Sequence, residues 1–218
     1  MTTLAPPPPR TRKTLAELLH ELGDIPASRV RLFPYPGTAS EADAVWVNEH
    51  ERACELVNGT IVEKSVGLPE DFLGSWLTTL LSQSVVPRRL GLVVMGRPQF
   101  RTIHGNLREP DVSFTRRDRL PTPLPQVGGW CPDLCVEVLS PGNTPAEMAM
   151  KRAEYFAGGC RLVWEIDPRT RTETVYTTAD ESFVVDAPGT LDGRDVIPGF
   201  TVRVGELFAE LDALAEEP

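Results

Sequence analysis

The chain has no stretch approaching the roughly 18 uncharged apolar residues of a membrane-spanning helix, which removes helical membrane proteins from consideration. The opening MTTLAPPPPRTRK lacks the apolar centre of a secretory signal, so the expected location is the cytoplasm. Histidine and cysteine are scarce. His20, His50 and His104 are far apart, and of Cys54, Cys131, Cys135 and Cys160 only the middle two are neighbours in sequence, so no zinc template matches. All four thiols are read as reduced core or loop groups. No P-loop, Gly-rich dinucleotide fingerprint, nucleophile-elbow serine or internal repeat is present. Phosphate-cradle and acyl-transfer chemistries therefore lack their usual support.

Positive charge is also short. The 22 basic against 31 acidic residues leave a net charge of −9, whereas nucleic-acid binding ordinarily leaves a basic footprint. Any such partner must be met by a local patch. The C-terminal ELFAELDALAEEP is acidic throughout; it reads as a solvated helix face, or as a surface for a basic partner.

Hydrophobic content of 41% and charged content of 24% over 218 residues are those of an ordinary globular chain. One core is expected over residues 14–218, preceded by a flexible, Pro-rich basic arm at 1–13. Thr14 to Leu22 has leucines at helical spacing and a Gly23 stop. In CELVNGTIVEK, Asn58-Gly59 between two β-rich runs signals a hairpin with a type I′ turn. A helix is predicted from about Glu70 to Val86, then strands in LVVMGRPQFRT and REPDVSFTR joined through His104-Gly105-Asn106. A Pro- and Gly-rich loop from Leu120 to Pro132 leads into the strand DLCVEVLS. Thr144-Pro145-Ala146-Glu147 caps a helix running to about Ala157, RLVWEID and TETVYT form a strand pair, and GELFAELDALA forms a last helix. This order describes an α/β fold with a mixed sheet flanked by helices.

Glu137 interrupts the apolar run LCVEVL. Burying an unpaired carboxylate costs several kcal/mol, so the residue either has a cation or hydrogen-bonding partners or lies on an edge strand in solvent. Asp111 opens the strand DVSF after Pro110 and can lie beside Glu137 on an adjacent strand; an Asp making a local turn bond is the ordinary alternative. Together with the Val138 carbonyl, the two acids make an oxygen-rich site suited to magnesium, with manganese as a substitute.

The segment EPDVSF followed by PDLCVEVLSPGNTPAEMAMKRAEYFAGGCRLVWEIDPRTRTETVYT resembles the Uma-type restriction-endonuclease family, and the likeness runs from about Thr14 through TLDGRDVIPGF to ELF. That family is placed in the PD-(D/E)XK nuclease superfamily. The resemblance implies a restriction-endonuclease-like fold, with Asp111 as the acid of the Pro-Asp pair and Glu137 as the second acid. Many superfamily members carry lysine two residues after that acid, where this chain has Leu139. The resemblance places the lysine instead on the following helix, at Lys151, where an ammonium would orient the attacking water and stabilise charge on phosphorus. Without it, Lys151 would read as an exposed residue of an amphipathic helix. The resemblance extends to VGLPEDFLGSWL and implies Glu70, at the start of the first core helix, as the fourth candidate, a metal ligand directly or through water; Asp71 competes for that role, and acids in a first turn are also favoured by the helix dipole alone.

Arg116, Arg117 and Arg119 follow Asp111 closely and form the local positive patch sought above, either as phosphate contacts or as a solvated loop. Trp130 is a weaker candidate for base stacking. The resulting expectation is a magnesium-dependent endonuclease cutting nucleic-acid phosphodiester bonds, in the first instance DNA, with no membrane partner. The alternative is an idle nuclease-fold module that binds nucleic acid or protein. Duplex cutting is compatible with a homodimer, which no residue demonstrates.

Overall fold

The structure is a computed structural model and describes residues 13–65 and 67–213. All but Lys13 of the arm expected at 1–13, and the end of the acidic C-terminal run, lie outside the described residues. Among the described residues no helix is long and apolar enough to cross a membrane.

In chain order the main elements are α1 (Leu15–Glu21), α2 (Glu41–His50), β1 (Cys54–Val57), β2 (Thr60–Glu63), α3 (Leu68–Val85), β3 (Gly91–Met95), β4 (Phe100–Arg101), β5 (Leu107–Arg108), β6 (Val112–Arg116), β7 (Leu134–Val138), α4 (Pro145–Ala157), β8 (Leu162–Asp167), β9 (Thr172–Tyr176), β10 (Ser182–Val185), β11 (Thr190–Asp192), β12 (Thr201–Arg203) and α5 (Val204–Ala213). The strands form a six-stranded sheet ordered β10-β9-β8-β7-β6-β3, a four-stranded sheet ordered β2-β1-β5-β4, and the pair β11-β12. In the large sheet β7 and β8 are parallel, joined through α4, while the other neighbours are antiparallel.

Period-2 alternation gives the large sheet two chemically distinct faces. Val112 and Phe114 of β6, Leu134, Val136 and Val138 of β7, and Leu162, Trp164 and Ile166 of β8 form one face, packed with Leu73, Leu77 and Leu81 of α3 and Leu207 and Phe208 of α5. The opposite face carries Cys135 and Val163, covered by Tyr155 of α4 together with Cys131 and Cys160. The four cysteines are free and buried. Glu137, next along β7 on this second face, is therefore enclosed between sheet and helix; β7 is buried along its whole length.

Local chemistry sets the element ends. Thr144 accepts a hydrogen bond from the Glu147 amide at 3.0 Å and Pro145 begins α4, as the cap pattern predicts. Asn58 and Gly59 both have positive φ, 49° and 71°, as a type I′ turn requires. Two expectations change. The stretches LVVMGRPQFRT and REPDVSFTR each split into two strands belonging to different sheets. Gly96, with φ 65°, ends the first strand of one stretch, and Pro110, which has no amide proton to donate, interrupts the other. The helix α2 was not foreseen; its Ser40–Asp43 capping box opens a segment in which apolar and polar residues are evenly mixed.

Candidate active site

The site is assembled where the two sheets meet beneath α4. In the β6–β7 ladder Val112 pairs with Val136; Asp111 immediately precedes β6, Glu137 follows Val136 on β7, and the Asp111 charge acts on Glu137. The two acids forecast as partners are thus brought close, one just before β6 and the other within β7. Asp111 is half-buried. Its Oδ2 accepts the Val138 backbone N–H at 2.7 Å and its Oδ1 accepts from Lys64 Nζ at 2.6 Å. Lys64, immediately after β2, also donates to the Glu109 carbonyl at 2.5 Å.

Glu137 is 3% exposed, which selects the buried alternative over the edge-strand one. Its Oε2 lies 3.1 Å from Lys151 Nζ, and its Oε1 accepts from the Tyr155 hydroxyl at 2.5 Å. Lys151 and Tyr155 are four residues apart on α4, so they share a helix face and reach the same carboxylate from above. Lys151 is 1% exposed, not a solvated residue of an amphipathic helix, and it also pairs with Glu55 Oε1 at 3.0 Å.

From Glu55 the network continues into the small sheet. Arg108 donates to Glu55 Oε2 at 2.9 Å and makes two bonds to Glu154, at 2.6 and 2.9 Å, while the Glu109 amide donates to Glu55 Oε1 at 3.2 Å. Charges buried on this scale cost several kcal/mol each unless paired, and pairing seldom yields net stability over an apolar core. Such a concentration of ions points to a functional requirement.

The electrostatics follow from the pairing. Burial alone would push Lys151 down, but Glu137 and Glu55 outweigh it and hold the ammonium charged. Burial likewise opposes the charge on Lys64, which Asp111, Glu137, Glu109 and Glu55 more than restore. Burial raises Glu55, yet Lys151, Arg108 and Lys64 bring it below the ordinary carboxylate range. Glu137 is raised, because burial exceeds the pull of Lys151 and Lys64. Glu109 is pushed up to about 7 by burial against the opposing Lys64, and its Oε2 is buried without a partner.

The network opens to the surface beside Asp111, at a cleft of about 20 Å³ lined by Ser65, Glu70, Asp71, Gly74, Met95, Gly96, Asp111 and Val138. That volume suits roughly one water-sized particle. Glu70 and Asp71 both border it from the first turn of α3, and Asp71 is raised first by burial and then by the Asp111 charge. The donor chemistry, carboxylates and a backbone carbonyl, fits a hard divalent cation. Asp111, Glu70 and Asp71 border the cleft while Glu137, bonded to Lys151 and Tyr155, does not line it, and among the described residues no three His, Cys, Asp or Glu side chains are grouped to hold a metal ion. The Asp111 charge is instead met by the Lys64 ammonium.

The arginine patch lies elsewhere. Arg116 is at the far end of β6 from Asp111, about 16 Å along an extended strand, and is engaged with Asp118; Arg119 pairs with the buried Asp133 at 2.9 Å. The structure therefore separates Arg116, Arg117 and Arg119 from the cleft.

Lys64, Glu55, Arg108 and Tyr155 were not singled out from the sequence. Glu55 carried a usable signal, since it interrupts CELV as Glu137 interrupts LCVEVL. Tyr155 is the tyrosine four residues beyond Lys151 in the quoted motif. Nothing local marks Lys64 or Arg108, whose partners lie 47 and 53 positions away.

A family model described as "Uma2: Putative restriction endonuclease" matches residues 39–205. Among solved structures, the chain is similar to a protein of Anabaena variabilis described as a putative nuclease belonging to DUF820, with 22% identity, a TM-score of 0.68, and coverage of 74% of this chain and 92% of that one. No curated protein matches the chain. The mixed sheets flanked by helices are thus the restriction-endonuclease-like α/β architecture expected from the sequence.

Proposed function

The chain belongs to the Uma2 restriction-endonuclease family, and from that membership and the paired acids we propose that it is a metal-dependent endonuclease hydrolysing nucleic-acid phosphodiester bonds, DNA in the first instance. The observation that carries this reading is the convergence of Asp111, Glu137 and Lys151 in one buried network that opens beside Asp111.

Asp111 and Glu137 would hold magnesium or manganese, with Glu70 or Asp71 and the Val138 carbonyl completing the oxygen set. When bound, the ion would offset charge on the phosphate oxygens and make water a better nucleophile. The protein's own part is definable. The Val138 amide fixes the Asp111 carboxylate, and the Tyr155 hydroxyl orients Glu137. Lys151, kept charged by two glutamates, supplies a cation for the attacking water and for charge developing on phosphorus. Lys64 holds Asp111 as the counter-cation, so an arriving ion must exchange with its ammonium.

That same contact favours a second reading. Because Lys64 and Lys151 already meet the charges of both acids, the fold can persist as an idle binding module without any ion. A cleavage screen over single-stranded DNA, duplex DNA and RNA, with and without magnesium or manganese, separates the two. Metal-dependent cutting lost in Asp111→Ala and Glu137→Gln supports the nuclease; oligonucleotide binding without cutting in any arm supports the module.

A further inference from the structure

A strand at the end of a sheet leaves half of its backbone hydrogen-bonding groups without partners, and proteins usually block such edges with charge, proline or a covering segment. Most edges of the two main sheets are blocked in this way. In the small sheet Val30 bridges to Val62 outside β2, and Gly128 bridges to Phe100 outside β4. At one end of the large sheet β10 is bounded by Asp180, Glu181 and Asp186. The other end is β3, whose sequence GLVVM has neither charge nor proline and whose residues are all at least partly exposed.

The free groups of β3 follow from its register. The Gly96 amide donates to the Asp111 carbonyl and the Arg117 amide to the Leu90 carbonyl, both at 2.9 Å, so the even-numbered positions of this strand face β6. The N–H and C=O of Gly91, Val93 and Met95 therefore point away from the sheet, and among the described residues no backbone group takes them up. This set is its own complement. A second β3 running antiparallel, with Val93 opposite its own copy and Gly91 opposite the other chain's Met95, closes about six hydrogen bonds. Beyond the two ends the chain turns away, at Arg89 with φ 54° and at Gly96 with φ 65°, which keeps Arg89 and Arg97, the nearest charges in sequence, out of the pairing.

Strand pairing alone buries less than the roughly 1,200 Å² of a stable interface, and uncharged surface flanks β3 on both faces. On one face α3 packs over β3; it carries no charged residue between Asp71 and Arg88, and Trp76, Leu80 and Val93 are only partly buried where they meet the main core. Thr79 and Gln83, beside them, are exposed. On the other face Leu92 and Val94 line an apolar cavity with Phe100 and Trp130. Interfaces are depleted of charge at their centre. In a chain of net charge −9 two copies repel over most of their surface, which leaves an uncharged face as the place where they can meet.

We propose that β3 pairs edge to edge with β3 of a second copy of this chain, making a two-fold dimer with one continuous sheet and the two α3 helices side by side. Met95 also lines the cleft beside Asp111. In this register the two Met95 residues are about 14 Å apart along the strands, so the pairing sets the two candidate sites close together on one assembly. The dimer stands on the strand edge alone and does not depend on the nucleic-acid reading.

Sedimentation velocity of the full chain over a range of concentrations tests it. Wild type is expected at twice the chain mass. Val93→Pro removes an outward amide while the β3–β6 ladder keeps its bonds, and is expected at the chain mass. The register makes a sharper demand, because Leu92 stands opposite Val94 of the second copy. The double variants Leu92→Lys with Val94→Lys, and Leu92→Glu with Val94→Glu, each set like charges face to face and are expected to be monomers. Their equimolar mixture is expected to recover the dimer mass, which a misfolded variant would not do. A monomeric wild type, a dimer unaffected by the charge variants, or a mixture that stays monomeric overturns the proposal.

Discussion

Glu173 offers a stringent measurement of what burial does to a carboxylate in this fold. It lies on β9, one strand in from the edge of the large sheet, between Ile166 of β8 and Val185 of β10, and is fully buried. Unlike Glu137, it has no partner on either oxygen, and burial alone pushes its pKa from 4.5 up to about 8. The native protein therefore holds this acid protonated at neutral pH while the unfolded chain ionises it. With the folded pKa raised, native Glu173 binds more protons than unfolded Glu173 between 4.5 and 8, so its contribution to stability is complete below 4.5 and is lost as pH rises through 8. At about 1.4 kcal/mol per unit, the loss between pH 5 and pH 8 is roughly 3 to 4 kcal/mol. Glu173→Gln removes the titration and keeps the shape. Urea unfolding of both proteins at several pH values, followed by the buried Trp164, gives the difference with the contribution of every other acid cancelled. The stability of Glu173→Gln relative to wild type is expected to rise by that amount from pH 5 to pH 8. A difference constant to within about 1 kcal/mol over this range would refute the reasoning.

Three further outcomes concern the site. Arg108→Met leaves Glu55 and Glu154 buried without their shared cation and should cost about 3 to 5 kcal/mol in urea unfolding; a loss under 1 kcal/mol would mean that the ion network is dispensable. Lys64→Met removes the ammonium 2.6 Å from Asp111 and should tighten magnesium binding by about tenfold or more, whereas weaker binding would make Lys64 a support of the site and not a competitor. Lys151→Gln should lower cleavage by about 100-fold or more while leaving metal affinity equal or tighter, and unchanged cutting would take Lys151 out of the chemistry.

The legible parts of the fold are those decided within a few residues. The span of α4 follows from Thr144, Pro145 and Glu147 at one end and the Gly158-Gly159 pair at the other, because capping groups act on amides only three positions away. The β1–β2 hairpin follows from Asn58-Gly59 for the same reason. Which sheet a strand joins is decided by partners distant in sequence, so β3 and β4, continuous in pattern, were not separable from their residues alone. The short strands β10 to β12 and the helix α2 carry too little periodicity to stand out.

The site divides along the same line. Glu137 was visible because a charge in an apolar run contradicts its surroundings, and the structure supplies the cations that resolve the contradiction. Asp111 and Lys151 drew their force from the family resemblance, and both converge on the same network. The arginine patch shows how sequence spacing and distance in the fold diverge. Five residues are few in sequence, but along a strand they span most of a sheet, so Arg116 stands far from Asp111. Lys64 and Arg108 are bound to the site by contacts across the fold, which a one-dimensional pattern does not carry.

The central claim, that Asp111 and Glu137 form a metal site, is tested most directly by calorimetric titration of magnesium and of manganese into wild type, Asp111→Ala and Glu137→Gln, alongside Lys64→Met. The account predicts a binding heat in wild type, its loss in both acid variants and its strengthening in Lys64→Met. Equal and negligible heats in all four proteins would contradict it.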